Sequence, residues 1–267
     1  MMPTVGQIGP ITIRTYTLLL DLAVLIGLAT LAWQAWKLDQ KPAHWLDAGL
    51  GALAAGLIAA RLGHVAIHWM YFSEHPSEIW EIWRGGLDWH TAVLGGLGGL
   101  AGVCRLRKLG FWQVSDVLAW SLPIGVMLTY TGCLMTNCGH GREVRSLADY
   151  PALIVAELPD LYGITVPRFS SQLYGIALGA GMLGMVALLR RWPGRLWAAL
   201  ALLGLGAFGI GFTRGDAVPM VGALRLDQVF DLVIAVTGMV GAVLAHRFNK
   251  SEKKVTGYAD EELVFFP

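Results

Sequence analysis

The chain has 267 residues, of which 55% are apolar and only 15% charged, where a soluble domain carries about 25% charged residues. Twenty basic and 19 acidic side chains leave a formal net charge of +1, so no surplus of positive charge exists to neutralise a run of phosphates, which argues against nucleic acid as a partner. Three cysteines, Cys104, Cys133 and Cys138, are too few for a disulfide scaffold, and the short spacing of Cys133 and Cys138 leaves their pairing in an oxidising compartment open.

The opening MMPTVGQIGPITIR has no basic cluster ahead of a short apolar core and no small-residue cleavage site, so the first apolar run reads as a span rather than a removable leader. A hydrocarbon core of ~30 Å takes about 20 helical residues to cross. Apolar runs near 15–36, 47–71, 89–105, 114–135, 170–190, 195–213 and 227–246 therefore read as seven transmembrane helices of an all-α, polytopic integral membrane protein. The third run is short and glycine-rich, and the spacings Gly95/Gly99 and Gly98/Gly102 suit close approach of another helix. Trp80, Trp83 and Trp89 suit the headgroup layer. The connection 136–169 interleaves Leu153, Ile154, Val155 and Leu158 with Glu157 and Asp160, an amphipathic pattern expected to lie on the membrane surface.

Lys and Arg fall unevenly between the two sets of connections. Lys37, Lys41, Arg105, Arg107, Lys108, Arg190, Arg191, Arg195 and the cluster after 246 lie on one side, and Arg14, Arg84, Arg142, Arg145, Arg168, Arg214 and Arg225 on the other. The richer side is expected to be cytoplasmic. The N-terminus is then outside, the C-terminus inside, and connections 72–88 and 136–169 face outward. The domain reading is a membrane domain over 1–250 with an extracytoplasmic insertion at 136–169, then a cytoplasmic tail at 251–267.

A cation within an apolar helix costs about 2.5–3.5 kcal/mol on insertion scales, so Arg61 in LIAARLGHVAIHWM needs a reason to be there. At about 100° per residue Arg61, His64 and His68 lie within roughly 60° of one another. A metal or haem iron held by the histidine pair, a structural arginine bonded to helix ends, and an anchor for an anionic lipid headgroup all remain open. In GGLDWHTAVLGG, His90 sits beside Asp88 where a helix begins. A histidine there can take a proton from a thiol or hydroxyl, with Asp88 holding the ring, or it is merely a satisfied interfacial group. TYTGCLMTNCGHGREVR supplies Gly132, Gly139 and Gly141, the hydrogen-bonding Thr136, Asn137 and His140, and the cations Arg142 and Arg145. That set suits a phosphate, and it equally suits a helix C-cap with a solvated loop. Arg214 and Asp216 in TRGD read as an exposed ion pair.

Taken in order, these segments resemble the prolipoprotein diacylglyceryl transferase family over nearly the whole chain. The resemblance begins at GPITIRTY, where Tyr16 stands at a functional tyrosine, and continues through AARLGH with Arg61. IWRGGLDWHTAVLGG is similar to the family's GG-x-x-H-G-G segment and sets His90 at its essential histidine. VSDVLAWSLPIG follows, TGCLMTNCGHGR is similar to the glycine-rich signature, SSQLYG to P-T-Q-L-Y-E, TRGD to the closing R-x-D, and LDQVFDL to the start of the last helix. Departures accompany the matches. Thr91 and Ala92 replace two glycines, Tyr130 an arginine, Cys133 an asparagine, Cys138 a glutamate and Gly175 a glutamate, and helix six lacks an arginine and a glutamate ahead of Arg214.

The resemblance implies transfer of diacylglycerol from phosphatidylglycerol to the lipobox cysteine of a preprolipoprotein, in the bacterial cytoplasmic (inner) membrane and with no metal or organic cofactor. It implies His90 as base with Tyr16 as hydrogen-bond partner. Arg61, Asn137, Gly141, Arg142 and Arg214 would handle the substrate. The departures keep a second class open, a homologue that binds lipid without this transfer. A third, a redox or haem protein using His64 and His68, predicts a Soret band.

Overall fold

The computed structural model describes residues 4–9 and 11–256, with side chains described except at 8, 11 and 249–256. Residues 257–267 of the expected tail lie outside the described residues. A hairpin of β1 (Thr4–Ile8) and β2 (Ile11–Arg14) leads into α1 (Thr15–Lys37), then α2 (Pro42–Ile67), the short α3 (Trp69–Glu74), two 3-10 turns (Pro76–Trp80 and Ile82–Arg84), α4 (Trp89–Arg107) and α5 (Phe111–Thr136). The hairpin β3 (Val155–Pro159) and β4 (Thr165–Phe169) precedes α6 (Ser171–Leu188) and α7 (Arg195–Gly211), and a last hairpin of β5 (Met220–Val221) and β6 (Leu224–Arg225) precedes α8 (Leu226–Thr256).

Each of the seven apolar runs is occupied by a helix. Five of these, α1, α2, α5, α6 and residues 226–248 of α8, are long and apolar enough to cross a membrane. The chain is thus an all-α, multi-pass membrane protein. α7 is apolar but shorter, and glycine dilutes the hydropathy of α4.

Two boundaries differ from the sequence reading for local reasons. α2 starts at Pro42 rather than 47, because proline fits the first helical turn, where its missing N–H is no loss, and it ends at Ile67 with His68 as C-cap. The connection 136–169 contains the β3–β4 hairpin, with Val155 opposite Phe169 and Leu158 opposite Val166. The alternation is thus of period two. Asp160 closes its turn by accepting the N–H groups of Tyr162 (2.9 Å) and Ile164 (3.0 Å).

The chain divides into two compact units, one of residues 1–27 with 118–267 and one of residues 28–117. In the unit of residues 28–117, α2 and α4 run antiparallel in close contact. A Cβ on Gly99 would stand 2.6 Å from the Gly51 carbonyl oxygen and the Ala55 methyl, and one on Gly95 would strike Ala59. Gly98 and Gly102, by contrast, face open space. One of the two small-residue spacings therefore makes the helix contact and the other does not. Asp47 and Arg107 join the same two helices at 2.6 Å.

In the other unit α7 lies against α8. A Cβ on Gly204 would stand 2.5 Å from the Asp231 carbonyl oxygen, and one on Gly238 would stand 2.6 Å from that of Trp197. Gly99→Leu is expected to destabilise the α2–α4 pair by about 1–3 kcal/mol or more through overpacking, while Gly98→Leu is tolerated. Thermal unfolding of the two variants in detergent, followed by size-exclusion chromatography, measures the contrast.

Candidate functional site

In the unit of residues 28–117 the organising group is Arg61, only 7% exposed. Its Nε donates to the Ile79 carbonyl (2.8 Å), one terminal nitrogen to those of Gly85 (2.8 Å) and Gly86 (3.1 Å), and the other to that of Glu78. A planar guanidinium with five donors is suited to bind several carbonyls at once. Four of those donors are engaged, and the centre of the Phe72 ring lies 5.2 Å from the Arg61 guanidinium carbon. Of the three readings of Arg61, the structural one describes what it touches: it ties the loop between α3 and α4 to α2. The His64 and His68 rings lie 4.3 Å apart, and His68 Nδ1 is 3.0 Å from the His64 carbonyl. Among the described residues no group of three or more His, Cys, Asp or Glu side chains is arranged to hold a metal.

That tied loop delivers Asp88 and His90. The Asp88 N–H donates to the Ala60 carbonyl (3.0 Å), beside Arg61. The Asp88 carboxylate caps α4, accepting the Thr91 N–H (2.8 Å) and hydroxyl (2.9 Å) on one oxygen. Its other oxygen faces His90 Nδ1 at 3.0 Å, with His90 only 2% exposed. A carboxylate acceptor requires the proton on Nδ1, so in the neutral ring Nε2 is the basic nitrogen. Burial by itself raises the Asp88 carboxyl, but the hydrogen bonds from His90 and Thr91 together hold it below the usual carboxylate range. Thr91, which stands where the resemblance expects glycine, packs against Gly63 of α2, where any Cβ would collide with it.

In the unit of residues 1–27 and 118–267 the site is built from backbone. Gly141 pairs antiparallel with Arg214, and Glu143 with Arg168. The Arg142 N–H donates to the Thr213 carbonyl (2.8 Å), Gly215 N–H to that of His140 (2.9 Å), and Phe169 N–H to that of Arg142 (3.1 Å). Gly141 has the Phe169 carbonyl so close that no side chain fits there. Three segments, the turn after α5, the end of β4 and the loop after α7, are thereby stitched together. Arg168, 3% exposed, braces them through Glu143 (3.0 Å) and Asp160 (3.1 Å). The Arg142 guanidinium lies over the Phe169 ring at 5.1 Å and lines a cavity of about 310 Å³ with Arg145, Asp149 and Tyr150.

Arg214 is more than an exposed ion pair. It grips Asp216 with two parallel bonds, 2.8 and 2.6 Å, and Arg225 bridges Asp216 (3.3 Å) and Asp227 (3.0 Å). Burial works against the Asp216 charge, but the Arg214 bonds and the charges of Arg214 and Arg225 outweigh it and hold the carboxyl low. Tyr16, at the start of α1, packs on Gly132 of α5, its ring 3.1 Å from where a Cβ would stand. Asn137 adopts the left-handed conformation, φ 63°, and ends α5.

Four of the departures that the resemblance marks fall into two contacting pairs. Cys133 and Cys138 form a disulfide across the turn. Tyr130 fills the space that Gly175 leaves, its ring occupying the place of a Cβ there. Of the seven residues singled out by sequence, Tyr16, Asn137, Gly141, Arg142 and Arg214 belong to one unit and Arg61 and His90 to the other. Sequence reasoning passed over Arg168, Gln172, Arg225 and Asp227. Polar residues where a strand or turn gives way to an apolar helix were the available signal.

The fold and these clusters define a multi-pass membrane protein with polar chemistry gathered at helix ends. A profile of the family described as prolipoprotein diacylglyceryl transferase matches residues 3–244. A phosphatidylglycerol–prolipoprotein diacylglyceryl transferase of Trichormus variabilis is 30% identical over 260 residues, 90% of this chain and 88% of the relative. Relatives of the same name from Thermosynechococcus vestitus and Bacillus velezensis are 31% and 25% identical, covering 88% and 97% of this chain and 89% and 94% of their own lengths. The chain belongs to the prolipoprotein diacylglyceryl transferase family.

A depressed carboxyl contributes stability that is full above its unfolded pKa and is lost as pH falls through the folded value. The stability gap between wild type and Asp88→Asn, which keeps a capping side chain, should therefore be full at neutral pH and shrink below about pH 4. Melting temperatures of both proteins across that range measure it.

Proposed function

We propose that this protein transfers diacylglycerol from phosphatidylglycerol to the lipobox cysteine thiol of a preprolipoprotein, at the outer face of the bacterial cytoplasmic membrane. The observation that carries this is the Asp88–His90 pair, a buried imidazole whose Nδ1 is fixed by a carboxylate, in a chain matched by the family over residues 3–244. His90 takes the thiol proton. The thiolate attacks the diacylglycerol carbon that bears the phosphate, an S–C bond forms, the C–O bond breaks, and glycerol phosphate leaves with the proton. Arg142 and Arg214 are the cations assigned to the phosphate, with Asn137 and Gly141 shaping the turn and Tyr16 packed on Gly132 of α5. Arg61 acts indirectly, by holding the loop that carries Asp88 and His90.

Seven crossings with the N-terminus outside, the insertion 136–169 outside and a cytoplasmic tail at 251–267 complete the proposal. The disulfide supports this orientation, because such bonds persist in oxidising compartments and Cys133–Cys138 closes the turn assigned to the outer side.

A second reading, lipid binding without transfer, is favoured by the same disulfide and by the Tyr130–Gly175 contact, which occupy positions where the family pattern has polar side chains. Transfer of radiolabelled diacylglycerol from phosphatidylglycerol to a lipobox peptide by purified protein separates the two. Wild type should transfer, His90→Ala should lose at least ~100-fold, and Arg214→Ala about 100-fold. Folded wild type that binds phosphatidylglycerol and transfers nothing would replace the first reading with the second.

A further inference from the structure

We propose that the cavity between the α6–α7 turn and the end of α8 holds the headgroup of an anionic glycerophospholipid, in the leaflet opposite the segments stitched together at Gly141. The inference stands apart from the transferase reading. α6 begins at Ser171, whose hydroxyl bonds to the Thr213 carbonyl within the stitch, and its 18 residues end at Leu188. A helix of that length rises about 27 Å, close to the depth of a hydrocarbon core. The turn that follows α6 therefore lies at the far end from the stitch.

The segment RRWPGR, residues 190–195, makes that turn. Pro193 disfavours helical backbone at Trp192, and Gly194 takes a positive φ of 91°. A Cβ on Gly194 would stand 2.9 Å from the Ala245 methyl, so the turn presses directly on α8. Buried Arg195 braces it from within, donating to the Arg190 carbonyl at 3.2 Å. Trp192 is thereby set beside His246, the two rings stacked with centres 6.2 Å apart. With Ala242, Val243 and Arg247 they line a cavity of about 330 Å³.

Charge and position name the occupant. Arg190, Arg191 and Arg247 are exposed, none is ion-paired among the described residues, and none of the residues lining the cavity is acidic. A phosphate has three guanidinium groups to meet here, whereas an ammonium headgroup has no carboxylate to receive it. The apolar span of α8 ends at Phe248, so His246 and Arg247 stand at headgroup depth, where the indole of Trp192 is also at home. Val236, Val240 and Val243, each 53% exposed, fall within about 60° of Arg247 at about 100° per residue. One face of α8 thus offers an apolar track for an acyl chain that leads up to a cation for its phosphate. A soluble phosphate would leave that track bare.

Photoaffinity labelling of the full chain in lipid nanodiscs tests the assignment, with phosphatidic acid or phosphatidylcholine carrying the same diazirine acyl chain and labelled peptides mapped by mass spectrometry. In wild type, residues 236–247 should label about tenfold more strongly with phosphatidic acid, while the exposed face of α1 at Leu18, Leu22 and Leu25 labels equally with both. Arg247→Gln should cut that preference about fivefold, and adding Arg190→Gln and Arg191→Gln should abolish it, with α1 unchanged. Equal labelling of 236–247 by both lipids, or a preference unmoved by the three substitutions, overturns the proposal. Protection of 236–247 from both lipids overturns it too, in favour of the chain's own tail if removing residues 257–267 lifts the protection, or of a second copy if single-copy nanodiscs do.

Discussion

The polar end of the larger unit depends on one crowded point, Gly141, whose backbone is paired with Arg214 and pressed so closely on Phe169 that no side chain fits between. Loops at the end of a membrane helix normally satisfy their backbone with water. Here the turn after α5, the end of β4 and the loop after α7 satisfy one another. Arg142 and Arg214 are therefore fixed by main-chain bonds, to which Arg214 adds its side-chain bonds to Asp216, and the start of α6 is tied in by the Ser171 hydroxyl on the Thr213 carbonyl. In the smaller unit Arg61 does the corresponding work from a single side chain, collecting four carbonyls of a loop that has no regular ladder of its own. Preorganisation of this kind is what a site needs if charged groups are to meet substrate without first rearranging.

Much of the helical layout was legible because length and apolarity mark a membrane helix strongly. The seven apolar runs all carry helices, with α2 displaced only by the effect of Pro42. The hairpin at 155–169 was not legible as strands. Its alternation of Leu158 with Glu157 and Asp160 reads as amphipathic at either period over so few residues, and the turn at Asp160 depends on side-chain bonds to Tyr162 and Ile164. The pairing of Arg214 with Asp216 could be read from adjacency, but not its extension to Arg225 and Asp227, which requires the β5–β6 hairpin to bring them back. Arg61 stood out as an intramembrane cation, and its carbonyl partners, 17 to 25 residues onward, had no sequence signature.

The side chains that the resemblance sets apart from the family pattern change meaning once their contacts are known. Cys133 and Cys138, each a departure in isolation, bond to each other. Tyr130 and Gly175, likewise two departures, form one packing contact. Thr91 has Gly63 to receive it. Substitutions that had merely accumulated would leave cavities or clashes of the kind that destabilise packed cores. In this chain these residues fit one another, as the Cys133–Cys138 bond and the Tyr130–Gly175 and Thr91–Gly63 contacts show.

If backbone bonds preorganise the site, particular amides must resist exchange, which hydrogen exchange of the purified protein in detergent measures. The N–H groups of Arg142, Phe169 and Gly215, all in loops or at a strand end, should be protected to the same degree as those inside the neighbouring helices α6 and α7. Exchange of these three amides at the rate of open, solvated loops would mean that the backbone bonds do not hold the site in place.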